Sequence, residues 1–560
     1  MRKKGKRSGK KARRKDDLST YYRRLLSGQY DCVDRIILNG YFTLGVTGGG
    51  FRTWWRRLTG SDATLDQEHL QRLAGRFSRR ARAYAREHDI PLLDCSAGER
   101  KHRVAEKYLP TDPTFRGVFL ILVAKEPAAV WEVRKCKSGA PHLERKRPWP
   151  YVNHYHFHLI DPDWGHVTIK MSGHPPFGVQ IMLNGHEWVA RQARKQAPST
   201  TIEKEGNCFV GGSLQTVGQL ADTLCAERIT GQLAAVCDRW VYSSCLCFGL
   251  DVEEQQRSGF RYQYACFQLE YSRNLLFRRG VTLDAVYQGL IDRSRALLGI
   301  EQLKTILGWK HRPHRDARYS PRLERIVNTG DYDLTVFKVH FGKLTLKMYD
   351  KGARVLRIEA IAHDAKVLRR GNSLPRFAQL ATELQRMVIA FLNAVQAAHV
   401  SFLDDAHVLD RLPQPSQRGA RRVAGIDLTK PRMRAVTEAI IALAPNPNGF
   451  TLAELAARTR RLLPDQPYTA RQAAYDIAKL RAKHFVDRLD HTRSYRTRTA
   501  GLRTLAALLI LREKVLKPVI AGAGKPKIGR PPKHIHPLDQ HYLNLQRELR
   551  ATFETLKLAA

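Results

Sequence analysis

The apolar and polar positions along the chain predict a mixed succession of strands and helices. Residues 34–42 have the composition of a strand, and residues 116–124 form a continuous apolar run, which is typical of a strand buried on both faces. Roughly residues 64–87 have the spacing of an Arg-rich helix. The pattern therefore predicts an α/β domain over residues 18–200, preceded by a basic, disordered arm over residues 1–17.

The centre of the chain has a different pattern. Residues 151–192 predict three paired strands that lead into a helix. Residues 201–415 then predict an α+β domain with antiparallel strands, built from helices near 213–243, 282–307 and 375–411 and strands near 259–272 and 333–362. A linker rich in Pro, Arg and Gln, residues 411–422, marks the next boundary.

The C-terminal part of the chain predicts a DNA-binding fold. Residues 416–524 contain three helices, a short hairpin and a closing helix, which is the element order of a winged helix-turn-helix domain. Residues 525–560 predict a basic linker and a terminal helix, and Gly529-Arg530-Pro531 resembles the core of an AT-hook, a minor-groove reader. The predicted fold class is thus α/β and α+β multidomain with a C-terminal winged helix.

The net charge of the chain indicates what kind of partner it binds. Lys and Arg number 95 against 53 Asp and Glu, a formal net charge of +42 over 560 residues. Such a surplus opposes compaction unless a polyanion neutralises it, so we expect nucleic acid as the partner, with DNA favoured and RNA as the alternative. No stretch approaches the roughly 20 apolar residues that span a bilayer, so no membrane partner is expected.

The basic arm and the cysteines indicate a compartment. Ten of the first fifteen residues are Lys or Arg, with no hydrophobic run behind them, which excludes a secretory signal. The nine cysteines form an odd set without a CxxC pair, and we expect buried free thiols in a reducing cytoplasm. The expectation is a cytoplasmic, nucleoid-associated protein whose oligomeric state stays open.

Within the predicted winged helix, basic residues concentrate on the third helix and the hairpin. Residues 418–517 hold 21 Lys and Arg against 8 acidic residues. The helix would enter a major groove and the hairpin would reach phosphates, while use of the domain for a protein contact is the alternative. The predicted DNA-binding residues are Arg471, Tyr475, Lys479, Arg481 and Lys483 on the helix, Arg493, Arg496 and Arg498 on the hairpin, and Arg530 in the linker.

Three histidines alternate along the first predicted strand of residues 151–192. His154, His156 and His158 would project from one face, because side chains alternate along a strand. Two His at that spacing around a hydrophobic residue form the HUH motif of single-strand nucleases, in which imidazoles hold a divalent metal. Asp161, Asp163 and His166 lie close in sequence and could complete such a site. The alternative is a half-exposed strand face that is rich in histidine.

Residues 343–361, KLTLKMYDKGARVLRIEAI, predict a β-hairpin with candidate catalytic side chains on one face. The prediction assumes a three-residue turn over 351–353, with Gly352 easing the bend. The shared face then carries Lys347, Tyr349, Arg357 and Glu359. A tyrosine hydroxyl beside a carboxylate and two cations can attack a phosphodiester, with Mg²⁺ or Mn²⁺ held by the carboxylate. A register change of one residue would move Tyr349 to the face opposite Glu359.

This hairpin resembles a segment of known proteins. A strand ending in Tyr-Asp-Lys, followed by Leu-Arg-Ile-Glu, looks like the segment of plasmid and phage rolling-circle replication initiators that carries their nicking tyrosine and a metal-binding carboxylate. The resemblance implies that Tyr349 is the nucleophile and that Glu359 is a metal ligand. Gln268 and Glu270, on the polar face of the predicted strand FQLEY, are candidates for further ligands.

Over most of its length the chain also resembles a widespread family of bacterial proteins of unassigned function that occur in repeated copies. The similar stretches are DRIILNGYF, HFHLIDPDWGHVTIKMSGHPPF, NGHEWVARQ, FQLEYSRNLLF, LKMYDKGARVLRIE and the winged-helix region. Repeated copies would suit a mobile element.

These observations lead to three hypotheses for a nucleic-acid-binding protein of a bacterial mobile or replicative element. The first is an enzyme like a transposase or replication initiator, which uses Mg²⁺ or Mn²⁺ and Tyr349 to nick or transfer a DNA strand. The second is a non-catalytic DNA- or RNA-binding regulator, or an RNA-partnered component of such an element. The third is a nuclease without a covalent step, in which carboxylates and histidines act alone.

Overall fold

The structure is a computed structural model that describes residues 16–555 apart from several internal ranges. Those ranges are 61–64, 97, 136–140, 206, 298–321, 329–333, 352, 400–406, 419–420, 445, 447, 490–491 and 518–536. Most of the basic arm, Gly352 and the AT-hook-like residues around Arg530 therefore lie outside the described residues. The described residues form a mixture of helices and strands, as the sequence pattern predicts.

The chain folds into two compact units. The sheet unit contains Leu25–Gly280 and Lys343–Val388, and the C-terminal unit contains Met1–Arg24, Val281–Gly342 and Ile389–Ala560. The strands are β1 (Leu26–Phe42), β2 (Leu92–Asp94), β3 (Gly117–Pro127), β4 (Trp131–Lys135), β5 (Pro141–Arg145), β6 (Tyr151–Asp161), β7 (Gly165–Ser172), β8 (Val179–Asn184), β9 (Ile202–Glu205), β10 (Cys208–Gly212), β11 (Tyr262–Phe277), β12 (Arg322–Asn328), β13 (Leu334–Phe341), β14 (Leu344–Lys351), β15 (Val355–Ala362), β16 (Ser416–Arg418), β17 (Arg421–Val423), β18 (Phe450–Thr451), β19 (Val486–Arg488) and β20 (Ser494–Thr497). The helices are α1 (Asp17–Tyr21), α2 (Gly48–Thr59), α3 (Gln67–Glu87), α4 (Lys101–Glu106), α5 (Gly185–Gln196), α6 (Leu214–Thr223), α7 (Ile229–Ser244), α8 (Val252–Ser258), α9 (Gly280–Leu297), α10 (Phe377–His399), α11 (His407–Arg411), α12 (Pro431–Leu443), α13 (Leu452–Leu462), α14 (Ala470–Ala482), α15 (Thr499–Ile510) and α16 (Pro537–Thr555).

Nine strands of the sheet unit form one sheet in the order β14-β15-β11-β1-β8-β7-β6-β3-β2. Neighbouring strands are antiparallel except for β2 and β3, which run parallel. The long strand β1 pairs with β8 on one side and with β11 on the other. Strands from the regions predicted as separate α/β and α+β domains therefore share one sheet.

One face of this sheet is apolar and packs against helices. Leu38, Ile181, Ile169 and Phe157 face one another in a row across β1, β8, β7 and β6, and each is fully buried. Phe77 of α3 packs on the same face, where its ring centroid lies 4.8 Å from that of Tyr155. Burying such side chains stabilises the fold by about 2 kcal/mol each. The apolar residues of these strands are thereby used for the core.

The opposite face of the sheet is polar. The next row across the same four strands consists of Asn39, Gln180, Lys170 and His156. Because side chains alternate between faces along each strand, residues one position away from the core row must lie on this side. Across these four strands the polar side chains of this row therefore lie on the face opposite the core row.

The C-terminal unit contains a small three-stranded sheet among helices. Its order along the chain is α12, β18, α13, α14, β19, β20 and α15, and the strands pair in the order β18-β20-β19. Thr451 and Thr469 form capping boxes that begin α13 and α14. Buried Asp476 accepts hydrogen bonds from Tyr468 and Arg432, each 2.9 Å long, which fix α14 in place.

Three further findings complete the fold. The predicted linker at 411–422 contains β16, which pairs with β17. The region predicted as helical over 213–243 is divided into α6 and α7. In the part of the chain that the structure describes, no helix combines the length and the apolar character needed to cross a membrane.

Candidate active site

The β14–β15 hairpin places four polar side chains on one face. Lys347 faces Glu359 and Tyr349 faces Arg357 in the observed register. Lys351 pairs with Val355, so the connection runs over residues 352–354, one position later than the predicted turn over 351–353. This displacement changes each cross-strand pairing by two positions, and an even shift leaves the face of every side chain unchanged.

The carboxylate of Glu359 is the centre of this group. Its Oε1 accepts hydrogen bonds from the Tyr349 hydroxyl and from Arg357 Nε, each 2.7 Å long, and its Oε2 lies 3.4 Å from Lys347 Nζ. Burial alone would raise the pKa of Glu359, but the charges of Arg357 and Lys347 and the hydrogen bonds lower it to about 2. The carboxylate is therefore ionised at neutral pH.

Arg357 connects this carboxylate to a second one. Its Nη2 donates to Asp34 Oδ2 over 2.6 Å, and its Nη1 donates to Asn274 Oδ1 over 3.0 Å and to the backbone carbonyl of Asn207 over 2.7 Å. The side chain is 2% exposed. The donor groups of the guanidinium are thus used by acceptors within the protein, and Arg357 fixes the positions of Asp34 and Glu359 relative to each other.

Asp34 and His186 belong to the same site, and sequence reasoning did not place them there. Asp34 lies where β1 shifts register against β11, between Val33 and Ile36, and its Oδ1 accepts from Ser272 Oγ over 2.9 Å. His186 Nδ1 lies 2.9 Å from the same oxygen. The segment Asn-Gly-His after a strand is the sequence signal for a capped helix beginning at this point.

Tyr349 is partly exposed and keeps its proton. Burial and the nearby negative charge of Glu359 raise the pKa of the hydroxyl well above its ordinary value. Its hydrogen bond to Glu359 therefore orients a neutral hydroxyl, which must lose its proton before or during any attack on phosphorus.

Glu270 provides a second carboxylate near Glu359. Gln268 and Glu270 lie on β11, and Gln268 Nε2 donates to Glu270 Oε1 over 2.8 Å. Burial and the charge of Glu359 raise the pKa of Glu270. Glu359 is buried and Glu270 is half-buried, and two neighbouring carboxylates form an oxygen-rich donor set, which suits a hard divalent cation.

The three histidines of β6 lie on the polar face but far from the hairpin. Six strand spacings separate β6 from β14, roughly 29 Å at about 4.8 Å per strand. His156 Nε2 contacts Glu126 Oε1 at 3.1 Å, and His158 Nδ1 contacts His166 Nε2 at 3.1 Å. Burial lowers the pKa of His154 to about 4 and that of His158 to about 3. The structure does not bring the three histidines together with Glu359.

The carboxylate of Asp161 accepts hydrogen bonds from a turn and from side chains of α7. Its Oδ1 accepts from the backbone N–H groups of Asp163 and Trp164, over 2.7 and 2.8 Å. Its Oδ2 accepts from Arg239 over 2.6 Å and from Trp240 over 2.7 Å. With both oxygens saturated by donors, this carboxylate has the surroundings of a structural residue.

The predicted DNA-binding residues of the C-terminal unit lie on α14, directly after it, and on the β19–β20 hairpin. The exposed ones are Arg471, Tyr475, Arg493, Arg496 and Arg498, and the partly buried ones are Lys479, Arg481 and Lys483. Lys479 Nζ lies 4.5 Å from the ring centroid of Tyr475, and Arg498 forms a 2.6 Å ion pair with Asp487. Lys483 donates to the backbone carbonyl of Arg411.

Comparisons with known proteins add one distant likeness. No protein family model matches the chain, and no curated protein matches it. Among solved structures, a rolling-circle replication initiator protein from Geobacillus stearothermophilus is similar over 65% of this chain and 84% of that chain, with 9% sequence identity and a TM-score of 0.19. A likeness of this degree establishes neither the fold nor the function, so the proposals below rest on the geometry of the described residues.

Proposed function

We propose that the chain is a DNA-processing enzyme of a mobile or replicative element, in which Tyr349 attacks a phosphodiester. The observation that carries this proposal is the 2.7 Å hydrogen bond from the Tyr349 hydroxyl to Glu359. It orients a partly exposed nucleophile against an ionised carboxylate, with the ammonium group of Lys347 beside that carboxylate. A positioned hydroxyl, a carboxylate and a cation form a constellation suited to phosphoryl transfer.

The proposed reaction transfers a phosphoryl group from a deoxyribose oxygen to Tyr349. The Tyr349 oxygen forms a bond to phosphorus, the bond from phosphorus to one deoxyribose oxygen breaks, and the strand end stays attached as a phosphotyrosine. The tyrosine proton leaves to water, and the departing deoxyribose oxygen takes a proton from water. Lys347 stabilises the additional negative charge on the phosphoryl oxygens. Arg357, whose donors point into the protein, acts as a positioning residue for Glu359.

Glu359 and Glu270 are the residues that would hold Mg²⁺ or Mn²⁺. Their fit is supported by the raised pKa of Glu270 beside Glu359, since a divalent cation relieves the repulsion between two carboxylates. When bound, such a cation would polarise the phosphoryl oxygens. Strand β6 lies four strand spacings from β11 and five from β15, roughly 19–24 Å at about 4.8 Å per strand, and we assign His154, His156, His158 and Asp161 to the fold.

The polar face of the sheet also contains a cavity whose lining suits a DNA strand. A cavity of ≈ 330 Å³ opens among residues of β1, β6, β7 and β8. Its lining includes Asn39, Tyr41, Lys170 and Gln180. Amide groups can bond to base edges, an aromatic ring can stack on a base, and an ammonium group can attract phosphate.

A winged helix is the domain type that the C-terminal unit supports. The element order α12, β18, α13, α14, β19, β20 and the strand order β18-β20-β19 agree with that topology. In this assignment α14 is the recognition helix, with Arg471 and Tyr475 exposed on it, and the β19–β20 hairpin is the wing, with Arg493 and Arg496 exposed. The net positive charge of residues 418–517 favours DNA over a protein partner.

A non-catalytic DNA-binding protein is the second candidate function. It is favoured by the raised pKa of Tyr349, because a protonated hydroxyl is a weak nucleophile. In that case the hairpin would contact phosphates without cutting the strand.

One experiment separates these functions. The full-length protein is incubated with labelled single-stranded and hairpin DNA plus Mn²⁺, as wild type, Tyr349→Phe, and Tyr84→Phe as the control for loss of a tyrosine hydroxyl elsewhere. A covalent protein–DNA adduct that is absent only in Tyr349→Phe supports the proposal. Cleavage that is indifferent to Tyr349 indicates a hydrolytic nuclease, and salt-dependent binding without any cleavage indicates the non-catalytic protein.

A further inference from the structure

A cysteine, an aspartate and a histidine meet beneath the polar face of the sheet unit. Cys32 and Asp34 lie on β1, and His186 lies in the first turn of α5. One ligand atom of each residue lies within 4.8 Å of the other two, and all three residues are buried. Thiolate, carboxylate and imidazole are the three kinds of side chain that bind zinc in proteins.

The backbone around this cluster is built for close approach. Gly185 precedes His186, and a Cβ atom at this glycine would lie 1.8 Å from the carbonyl oxygen of Val33. Asn184 accepts hydrogen bonds from the backbone N–H groups of His186 and Glu187, over 2.9 and 3.2 Å, which fixes the start of α5. On the other side, the register shift of β1 after Val33 displaces Asp34 from the regular ladder. Both features bring His186 and Asp34 together.

The two ring nitrogens of His186 face different groups. Nε2 lies 3.3 Å from the Tyr30 hydroxyl, whose oxygen accepts from the backbone N–H of Phe209 over 2.8 Å and which can donate to Cys208 Sγ at 3.4 Å. In the tautomer whose Nε2–H donates a hydrogen bond to the Tyr30 oxygen, Nδ1 carries the lone pair that a metal ligand needs. Nδ1 is fully buried and lies 2.9 Å from Asp34 Oδ1, but the geometry is not that of a hydrogen bond.

We propose that Cys32, Asp34 and His186 bind a zinc ion. With Nδ1 unprotonated, its lone pair and the Asp34 carboxylate oxygen lie 2.9 Å apart, and a cation placed between them and the Cys32 thiolate would be coordinated by all three atoms. Magnesium and calcium prefer oxygen ligands only, whereas a set of sulfur, nitrogen and oxygen suits zinc. Three protein ligands leave a fourth position for water or a further group.

The surroundings of the cluster supply the groups that a zinc site needs around its ligands. Tyr30 faces Nε2 of His186, and Ser272 donates to the ligand oxygen of Asp34 over 2.9 Å. The second oxygen of Asp34 accepts from Arg357 over 2.6 Å. Zinc bound here would hold Asp34 in place and, through Arg357, the Glu359 carboxylate. Zinc is therefore expected to stabilise the arrangement around Tyr349 without touching it.

The metal content of the purified protein tests this site. The full-length chain is produced in zinc-containing medium, purified without a chelator and analysed by inductively coupled plasma mass spectrometry. We expect about one zinc per chain, lost in Cys32→Ala and retained in Cys237→Ala, which removes a buried thiol of α7 outside the cluster. Absence of zinc from the wild type, or full retention in Cys32→Ala, overturns the proposal.

A second measurement uses only the wild type, so it tests the site even if the Cys32→Ala variant does not fold. Zinc in the wild type is exchanged for Co²⁺, and the near-ultraviolet absorption is recorded. A sulfur-to-cobalt charge-transfer band is expected from the Cys32 thiolate, and a spectrum without that band contradicts the site. Tyr349→Phe should keep its zinc, so a failure of the DNA-cutting proposal leaves this measurement interpretable.

Discussion

Asp34 and Arg357 are 323 positions apart in the sequence and form a buried ion pair of 2.6 Å. The same guanidinium donates to Glu359, so one cation is shared by a carboxylate from β1 and a carboxylate from β15. Buried charges are tolerated when each has its partner, and removing one partner leaves the others uncompensated. This pair therefore connects the Tyr349 hairpin to the junction of β1 and α5.

Replacing Arg357 should destabilise the fold strongly. Arg357→Met leaves Asp34 and Glu359 without their shared cation, and we expect a loss of about 3–5 kcal/mol in the free energy of unfolding, measured by urea denaturation at neutral pH. Arg72→Met is the matched control, because Arg72 pairs with Glu68 on the exposed face of α3. If both variants unfold at the same urea concentration, the buried network does not stabilise the protein as argued.

Glu359 should make the stability of the protein depend on acid pH. In the folded protein its pKa of about 2 lies below the ordinary value of 4.5. Glu359 therefore adds to the free energy of unfolding at pH values above 4.5, and this addition is lost as the pH falls towards 2. Between pH 6 and pH 3 the wild type should lose about 2 kcal/mol more than Glu359→Gln, which has no carboxylate there. The comparison uses urea unfolding at each pH, and equal losses would refute the assigned ionisation.

If Tyr349 is the nucleophile, DNA cleavage should accelerate with pH. Its raised pKa keeps the hydroxyl protonated at neutral pH, so the reactive tyrosinate increases about tenfold for each pH unit below that pKa. Single-turnover cleavage rates between pH 7 and pH 9, with DNA and Mn²⁺ saturating at each pH, would show this slope. A rate that stays level across the range would mean that loss of the tyrosine proton does not limit the reaction.

Two helical glycines should respond to alanine in opposite directions. Gly185→Ala places a Cβ against the carbonyl oxygen of Val33, so α5 must move away from β1 and the protein should be destabilised by at least about 2 kcal/mol. Gly231→Ala, on α7, meets nothing within 4 Å and should stabilise by about 0.5–1 kcal/mol. Thermal unfolding of both variants beside the wild type measures the difference, and a stable Gly185→Ala protein would contradict the close approach.

The exposed arginine of α14 should contribute to the salt dependence of DNA binding. If Arg471 contacts a phosphate, Arg471→Ala should reduce the slope of log K against log salt concentration by about 1 and weaken binding to all sequences alike. Fluorescence anisotropy with a labelled duplex over a series of salt concentrations gives this slope. Arg72→Ala, which removes a positive charge from α3, serves as the control. An unchanged slope in Arg471→Ala would mean that Arg471 does not contact a phosphate.

Several elements follow directly from local pattern. The predicted strand at 34–42 lies within β1, and the predicted strand at 116–124 and helix at 64–87 correspond to β3 and α3, with small differences at the ends. Periodicity and capping act over a few residues, so a single sequence carries them. The pairing of β1 with β11 joins positions more than 200 residues apart, and it depends on the packing of whole elements.

The sequence by itself determined which residues of the hairpin share a face. Alternation along two adjacent strands and a short connection place Lys347, Tyr349, Arg357 and Glu359 together, even though the turn lies one residue later than predicted. Only the tertiary structure decided what surrounds them. The meeting of Asp34, His186 and Cys32 requires a register shift in β1 and a glycine at the start of α5, and such close approaches are set by the packing of distant segments.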